Sequence, residues 1–243
     1  MEEKGNMKIK LLGIGAILIE VKHNRILIDA FNSYNEPPEI KYKDLILFTH
    51  DDGDHFLAEK LPDNIERTSS KVIGPPSIAY PLLSAKKVEA NCLRIVYPPH
   101  LTQPVRISEN YIDITIYQTR HFVDWEPVHI SYLLEIEGKK VYITGDSSVL
   151  DNYVPEIEKI NVLIMSFVDK KFFKKECGQD EALKRHVEEI LKVNEKVNPC
   201  LLVCNHLLNC SWSVESKSLE EAIKMKNIKN VSFLHSAEEV LVI

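Results

Sequence analysis

The sequence predicts an α/β fold in which many short β-strands form the core and a few helices cover it. Segments with the length and patterning of strands recur along the chain, and residues 111–118 alternate between apolar and polar as a half-buried strand does. Helical periodicity is confined to a few places, most clearly residues 180–195 and 217–227. No repeat, low-complexity segment or linker divides the 243 residues. We therefore expect a single domain that spans residues 1–243.

The predicted strands are apolar or alternating runs bounded by turn residues. Residues 45–48 are continuously apolar and fit a buried strand, whereas the alternation in residues 8–12 fits a half-buried one. In chain order, strands are predicted at residues 8–12, 16–21, 25–30, 45–48, 71–74, 92–97, 111–118, 129–136, 140–144, 161–167, 199–204, 231–234 and 240–243.

Helices are predicted at four places between these strands. Residues 56–61 can form a short helix that Pro62 stops, and residues 75–84 fit a helix with proline near its first turn. Residues 180–195 and 217–227 carry apolar side chains on one face. That amphipathic pattern is typical of helices packed on the outside of a sheet.

Charge, hydropathy and cysteine content exclude several classes of protein. The net charge is −6, which argues against nonspecific nucleic-acid binding, because such binding needs clustered lysine and arginine. No apolar run approaches the ~20 residues needed to cross a bilayer, and the N-terminus lacks the pattern of a signal peptide. The five cysteines are odd in number in a chain that is not small, so no disulfide framework is expected. We expect a cytoplasmic protein with reduced thiols.

The segment that follows residues 45–48 carries the strongest chemical signal. It contains His50, Asp51, Asp52, Asp54 and His55 within six positions. So many ionisable side chains directly after a buried strand need a compensating cation, and imidazole and carboxylate are common metal ligands. The alternative is a solvated acidic turn that holds two histidines without any role.

Three further predicted strands end in residues of the same kind. His121, Asp146 and His206 each follow a strand within a few positions. Functional side chains commonly lie on loops at strand ends, where a rigid scaffold holds them. A random scatter of the nine histidines would not favour these ends. The four strand ends together therefore predict a metal site.

The motif Thr-His50-Asp-Asp52-Gly-Asp54-His55 resembles the His-x-His-x-Asp-His signature of the metallo-β-lactamase superfamily. The order of the later ligand-type residues is similar to that family, and residues 26–29 resemble its strand before the signature. The resemblance covers residues 8–210, and the lengths are closest to compact members such as the ascorbate-6-phosphate lactonase-like branch. It implies a four-layer αββα sandwich, in which two mixed β-sheets pack face to face with helices outside.

The resemblance also implies a site for one or two divalent metal ions, Zn²⁺, Mn²⁺ or Fe²⁺. Asp54 is the implied catalytic residue, which holds and orients the nucleophile, and Asp29 would orient a metal ligand from behind. A purely structural hydrogen bond is the alternative for Asp29. By position, one metal would be held by His50, Asp52 and His121, the other by Asp54, His55 and His206, and Asp146 would bridge the two.

Position 52 departs from the family signature, which has its second histidine there. A carboxylate is a harder ligand than imidazole, so Asp52 favours Mn²⁺ or Fe over Zn²⁺. The flavodiiron branch of the family also has a carboxylate at this place and binds two irons, but its flavodoxin domain has no room in this chain. Alternatively, Asp52 does not coordinate, and only the position formed by Asp54, His55 and His206 is filled.

The implied activity is metal-dependent hydrolysis of a small-molecule ester, lactone or phosphoester. The expected partner is that substrate, with neither nucleic acid nor membrane. Three alternatives stay open. A phosphodiesterase or nuclease would need a basic surface, a di-iron redox protein would need iron and an electron donor, and a degenerate fold would use its metal for structure alone. Neither the substrate nor the oligomeric state is encoded in a readable pattern.

Other histidines and cysteines give weaker signals. His129 and Trp125 are interpreted as packing residues near the mouth of the site, with substrate contact as the alternative. His186 lies in a polar helical stretch and is predicted to be solvated. Cys200 and Cys204 fall in an apolar run and are predicted to be buried thiols, rather than ligands of a separate zinc ion.

Overall fold

The computed structural model describes residues 6–63, 65–121, 128–147, 157, 159–167, 179–206, 216–234 and 240–242. Trp125 lies outside the described residues. Within the described parts of the chain, no helix is long and apolar enough to span a membrane. The described elements form two mixed β-sheets flanked by helices, which is the α/β sandwich implied by the resemblance.

The strands of the structure agree closely with those predicted from the apolar runs and the alternating segments. They are β1 Met7–Leu11, β2 Ile17–Val21, β3 Asn24–Ile28, β4 Leu45–Leu47, β5 Lys71–Gly74, β6 Leu93–Ile95, β7 Val105–Glu109, β8 Ile112–Thr119, β9 His129–Ile136, β10 Lys139–Ile143, β11 Val162–Ser166, β12 Leu201–Asn205, β13 Val231–Phe233 and β14 Val240–Val242.

The strands divide into two seven-stranded sheets. The first sheet has the order β14-β1-β2-β3-β4-β5-β6, and the second has the order β13-β12-β11-β10-β9-β8-β7. Pairing is antiparallel from β14 to β3 and parallel from β3 to β6. The second sheet is parallel from β13 to β10 and antiparallel from β10 to β7. Both sheets therefore combine hairpins with crossover connections.

Three α-helices are described, and they lie on the outer faces of the sheets. These are α1 Ala79–Ser84, α2 Gln179–Val197 and α3 Ser216–Met225. Ile190 and Val193 of α2 and Leu219 of α3 belong to an apolar cluster that also contains Leu163 of β11 and Leu202 of β12. The amphipathic faces expected at residues 180–195 and 217–227 therefore cover the second sheet.

The structure differs from the sequence predictions at several short elements. The helix predicted at 56–61 is a single 3₁₀ turn, Ala58–Lys60, and the one predicted at 75–84 begins with 3₁₀ geometry at Pro76–Ile78 before α1. The strand Val105–Glu109 was not predicted. It is an edge strand with no fully buried residue, so its sequence carries only a weak apolar pattern.

The main core lies between the two sheets. On β9, Ile130, Tyr132, Leu134 and Ile136 all belong to this inter-sheet cluster, whereas Leu133 joins the cluster beneath α2 and α3. This is the two-residue period of a strand with both faces covered. The fully buried Tyr132 hydroxyl donates a 2.6 Å hydrogen bond to the carbonyl of Phe48. That bond ties the second sheet to the strand before the ligand-type segment.

Candidate metal centre

The seven predicted ligand residues lie at one edge of the sandwich. In the second sheet β8, β10 and β12 run in the same direction, because β8 and β10 both pair antiparallel with β9 and β12 follows β10 through parallel pairs. Their carboxyl ends therefore meet at one edge, where the end of β4 from the first sheet joins them. The ligand-type atoms fall into two compact groups, Asp54, His55, Asp146 and His206 in one and His50, Asp52 and His121 in the other, with the atoms of each group within 4.8 Å of one another.

The first group is formed around two carboxylates. Nε2 of His206 lies 3.1 Å from Oδ2 of Asp54 and 3.4 Å from Oδ2 of Asp146. Nε2 of His55 lies 3.2 Å from Oδ1 of Asp146 and 4.0 Å from Oδ2 of Asp54. Two imidazoles and two carboxylates that converge over these distances match the nitrogen and oxygen donor set of a divalent metal position.

The second group is centred on the unusual residue of the motif. Oδ2 of Asp52 lies 3.7 Å from Nε2 of His50 and 3.4 Å from Nε2 of His121. Asp52 therefore turns towards both histidines. Asp146 connects the groups, because its Oδ2 lies 3.9 Å from Nε2 of His121 and 3.4 Å from Nε2 of His206. This placement is the one that a bridging carboxylate would occupy.

A network of hydrogen bonds behind the ligand atoms fixes the two histidines of the motif. Asp29 accepts bonds from the Thr49 backbone amide at 2.8 Å and from the Thr49 hydroxyl at 2.7 Å. Oδ2 of Asp29 also lies 2.8 Å from Nδ1 of His55, and the Thr49 hydroxyl lies 2.8 Å from Nδ1 of His50. Because the Thr49 proton goes to Asp29, the His50 Nδ1–H must donate to Thr49. With cations bound, both rings would be neutral and would present unprotonated Nε2 atoms to the site.

The orphaned atoms of this cluster indicate a cation. Nε2 of His50 and Oδ1 of Asp146 are buried, and neither finds a hydrogen-bond partner among the described residues. Nε2 of His55 lies 3.2 Å from Oδ1 of Asp146, and the ring can donate a hydrogen bond there only when Nε2 carries a proton. Buried polar atoms without partners cost free energy, and a metal ion satisfies them without any donor. The residues present therefore fit divalent metal ions.

Burial and the close charges shift the pKa values of several residues in the cluster. Burial alone would lower the pKa of His55, but the carboxylates of Asp146 and Asp29 outweigh it and raise that pKa well above its usual value. Burial would raise the pKa of Asp146, but His206 and His55 hold it well below the usual range. Burial and the charge of His55 lower the pKa of His50. The same rings would be neutral with cations in place, because a bound ion reverses the local charge balance.

Two of these residues have a left-handed backbone. Asp29 has a φ of 49° and His206 a φ of 64°. A non-glycine residue with positive φ is uncommon, and such conformations concentrate at functional sites, where the surrounding structure holds them. Gly145, which precedes Asp146, has a φ of 58°. Three of the loops that supply or support the site therefore make a sharp turn immediately after the strand ends.

The sequence did not identify the role of Thr49 or the contacts of His129. Thr49 lies inside the motif, but its hydroxyl gains a role only when β3 brings Asp29 beside it. His129 is fully buried at the start of β9, in agreement with the packing role predicted for it. Burial and the neighbouring His121 lower the pKa of His129 to about 3, so its ring is neutral. A histidine at the start of a predicted strand gave no signal that could reveal these contacts.

Two predictions for residues outside the cluster are wrong. His186 was predicted to be solvated, but it is buried on α2, with its ring edge-on to Phe167 at 5.5 Å. It lies on the inner face of an otherwise polar stretch of helix. Cys200 was predicted to be buried, but it is exposed just before β12, whereas Cys204 is buried as expected. Asp51, which lies between buried His50 and half-buried Asp52, is exposed.

Comparisons with known proteins place this site in a family. The sequence model of the Beta-lactamase superfamily domain matches residues 24–207. No curated protein matches the chain in sequence. The matched range contains all the candidate metal ligands.

Solved structures with the same architecture are distant in sequence. The metallo hydrolase Igni18 from Ignicoccus hospitalis is 15% identical with a TM-score of 0.66 and covers 98% of each chain. The metallo-beta-lactamase fold protein YhfI from Bacillus subtilis is 15% identical with a TM-score of 0.62 and covers 98% of this chain and 99% of that one. The diiron beta-hydroxylase CmlA from Streptomyces venezuelae is 12% identical with a TM-score of 0.65, over 100% of this chain and 55% of that one.

At these identities the structural likenesses show a shared fold and no shared activity. They agree with the sequence match, which spans well over half of the chain. The order of His50, Asp54, His55, His121, Asp146 and His206 is the feature that carried the resemblance, and the fold brings these residues together. The protein therefore belongs to the β-lactamase superfamily and has its metallo-β-lactamase α/β sandwich fold.

Proposed function

We propose that this protein is a metal-dependent hydrolase that acts on a small-molecule ester, lactone or phosphoester. One observation carries the proposal: two groups of ligand-type side chains meet at a shared carboxylate, Asp146, at one edge of the sandwich. The sequence contains no Gly-x-Ser-x-Gly motif of the kind that presents a nucleophilic serine. The reaction that such a donor set supports best is attack by water on a carbonyl or a phosphoryl centre.

The residues have distinct tasks in this proposal. His50, Asp52 and His121 would hold one divalent ion, Asp54, His55 and His206 the other, and Asp146 both. When bound, such ions supply Lewis acidity, which activates water and polarises the substrate oxygen. Asp54 is 19% exposed at its side chain against 6% for Asp146, so it is the carboxylate of the first group that solvent and substrate can reach. It orients the attacking water and accepts its proton.

The substrate class follows from the chemistry of the centre and from the charge of the chain. Lactones, esters and phosphoesters all develop negative charge on oxygen, which cations at this site would stabilise. The net charge of −6 gives no support to a polyanionic substrate. A lactone is the substrate suggested by the similarity in length to the ascorbate-6-phosphate lactonase-like branch. The reduced thiols expected from the sequence favour a cytoplasmic site of action.

A second candidate function is oxidative chemistry at two irons, and Asp52 is the observation that favours it. A carboxylate at that position suits iron better than an imidazole does, and Asp52 faces both histidines of its group. CmlA, which shares the fold, is a diiron beta-hydroxylase. In this reading the same residues would hold two irons, and a separate electron donor would be required.

Metal analysis of the purified protein beside Asp52→His tests the centre itself. We expect two equivalents of Mn or Fe per wild-type chain, and a shift towards Zn in Asp52→His, since imidazole is the softer ligand. The measurement is elemental analysis of both proteins purified in parallel. Absence of bound metal from both proteins would overturn the proposal.

Activity of the metal-loaded protein separates the two candidate functions. We expect hydrolysis of a chromogenic ester, lactone or phosphoester, and a rate about 10²- to 10⁴-fold lower in Asp54→Asn, because the variant loses the proton acceptor and also a charged ligand of one ion. Asp51→Asn makes the same change of charge at an exposed neighbour and should keep the wild-type rate. Oxygen consumption by the reduced iron form, with no hydrolysis of any of the three classes, would favour the oxidative function instead.

A further inference from the structure

His129 lies inside the metal centre without belonging to either group of candidate ligands. Its ring is fully buried, with its centroid 4.9 Å from that of His50 and 5.7 Å from that of His121. The two ring nitrogens both have partners, and neither partner is a carboxylate. Nε2 lies 3.0 Å from the backbone nitrogen of Asp146, and Nδ1 lies 2.6 Å from the hydroxyl oxygen of Thr119.

These contacts determine which nitrogen of His129 carries the proton. A backbone amide can only donate, so Nε2 must accept the Asp146 N–H and carries no proton. The proton of the neutral ring is therefore on Nδ1, where it is donated to the hydroxyl oxygen of Thr119. The Nε2 lone pair is already used, so it is not available to a metal ion. His129 is thus not a metal ligand in this arrangement.

The same residue connects the loops that carry the ligands. Thr119 is the last residue of β8, two positions before His121, and Asp146 follows β10. The next backbone amide, that of Ile130, donates a 3.0 Å hydrogen bond to the carbonyl of Thr49, directly before His50. The start of β9 therefore joins the ends of three ligand-bearing strands. A rigid ring between two of them sets their separation.

The close approach of the Asp146 loop to the ring supports this role. At Gly145 a Cβ atom would lie 2.8 Å from Nε2 of His129, which is closer than real Cβ contacts occur. The turn before Asp146 is therefore pressed against the imidazole and aligned by it. A side chain that only filled space would not need the directed hydrogen bond from the Asp146 N–H to Nε2.

We propose that His129 is a positioning residue, which orients Asp146 between the two groups of ligands by accepting its backbone N–H while it is anchored to Thr119. This inference rests on the proposed function, since it gives Asp146 the task of bridging two metal ions. The inference adds one requirement to the ligand set, namely a hydrogen-bond acceptor at the position of Nε2 of His129. That acceptor sets the metal affinity, although it touches no metal.

Two amide substitutions at position 129 distinguish a positioning role of His129 from a packing role. Glutamine at position 129 can place an amide oxygen near the position of Nε2, whereas asparagine reaches only the position of Nδ1. We expect His129→Asn to bind Co²⁺ about 10- to 100-fold more weakly than wild type, which is the usual effect of losing a group that orients a ligand. His129→Gln should recover most of that loss. The readouts are calorimetric titration of the apo protein with Co²⁺ alone and the visible absorption of the saturated Co²⁺ form.

Threonine-to-valine substitutions test the anchor on the other side of the ring. Thr119→Val removes the acceptor of the Nδ1 proton and should weaken Co²⁺ binding, with an altered absorption spectrum. Thr115→Val makes the same change four residues earlier on β8, away from the cluster, and should leave both unchanged. Thermal unfolding of every variant in chelator verifies that the apo fold is intact.

The outcomes separate this inference from the proposed function. If wild type binds Co²⁺ but His129→Asn and His129→Gln have the same Co²⁺ affinity as each other, the positioning role is overturned. The hydrolase proposal then still stands. Equal behaviour of Thr119→Val and Thr115→Val overturns the anchoring step. If wild type binds no Co²⁺, both the proposed function and the inference fail.

Discussion

At the scale of single residues, Asp29 holds two residues of the motif, Thr49 and His55, by hydrogen bonds. It is 1% exposed and accepts hydrogen bonds from the Thr49 amide, the Thr49 hydroxyl and the His55 ring. A carboxylate can accept all three, because it carries only acceptor sites. An asparagine side chain at this position would have to point its NH₂ group at one of these three donors, and that hydrogen bond would be lost.

We predict that Asp29→Asn weakens metal binding about 10- to 100-fold and lowers the free energy of unfolding by about 1–3 kcal/mol. The left-handed backbone at this position tolerates asparagine as well as aspartate, so the loss would come from the hydrogen bonds and not from strain. Metal titration and urea unfolding measure the two effects, with Asp51→Asn as the control. Wild-type metal affinity in Asp29→Asn would show that the network is only structural.

The contacts of single residues could be predicted from the sequence only where the residues share one segment. The spacing of His50, Asp54 and His55 within one segment makes their convergence predictable, because they share a loop. The partners of Thr49 and His129 come from other strands, and no local pattern encodes those contacts. His186 was misjudged for a similar reason, since its polar neighbours in sequence say little about which face of α2 it lies on.

At the scale of elements, the strand ends set the geometry of the site. The strands could be predicted because a buried strand is a short apolar run, and Val162–Ser166 of β11 is buried throughout. The pairing of those strands could not be predicted from their patterns. The edge strand β7 escaped prediction because its half-exposed residues need little apolar character.

The two glycines that flank β10 provide a matched test of the turn before Asp146. Gly138 and Gly145 both have positive φ, at 73° and 58°. A Cβ at Gly138 would meet nothing within 4 Å, whereas a Cβ at Gly145 would lie 2.8 Å from Nε2 of His129 and 2.9 Å from Cβ of Thr49. Substitution by alanine therefore adds backbone strain at both sites, but a steric clash at only one.

We predict that Gly138→Ala costs about 1–2 kcal/mol from backbone strain alone and leaves metal affinity unchanged. Gly145→Ala should cost more and also weaken metal binding, because the turn must move away from His129 and take Asp146 with it. Melting temperature and Co²⁺ titration of the two variants give the comparison. Equal metal affinity in both would show that the position of Asp146 does not depend on this close approach.

At the scale of the whole molecule, two sheets from different parts of the chain bring ligand-type residues together. The motif follows β4 of the first sheet, and the other candidate ligands follow strands of the second. The family resemblance made this arrangement predictable, since the order of residues is a property of the whole chain. The finer branch and the substrate were not predictable, because they depend on loop residues that have no regular pattern.

If the cluster binds metal, the stability of the whole molecule should depend on the bound ions. Asp52, Asp54 and Asp146 lie beside four imidazoles, and the unfolded chain would not hold them together. Ions that bind only the folded state stabilise it by about 2.7 kcal/mol per site at a hundredfold excess over Kd, which raises the melting temperature by about 5–11 °C for a protein of this size. We predict a rise of at least this size when Mn²⁺ or Co²⁺ is added to chelator-treated protein, measured by calorimetry. Asp51→Asn should show the same rise and Asp146→Asn little of it, whereas an equal rise in both would place the stabilising ions elsewhere.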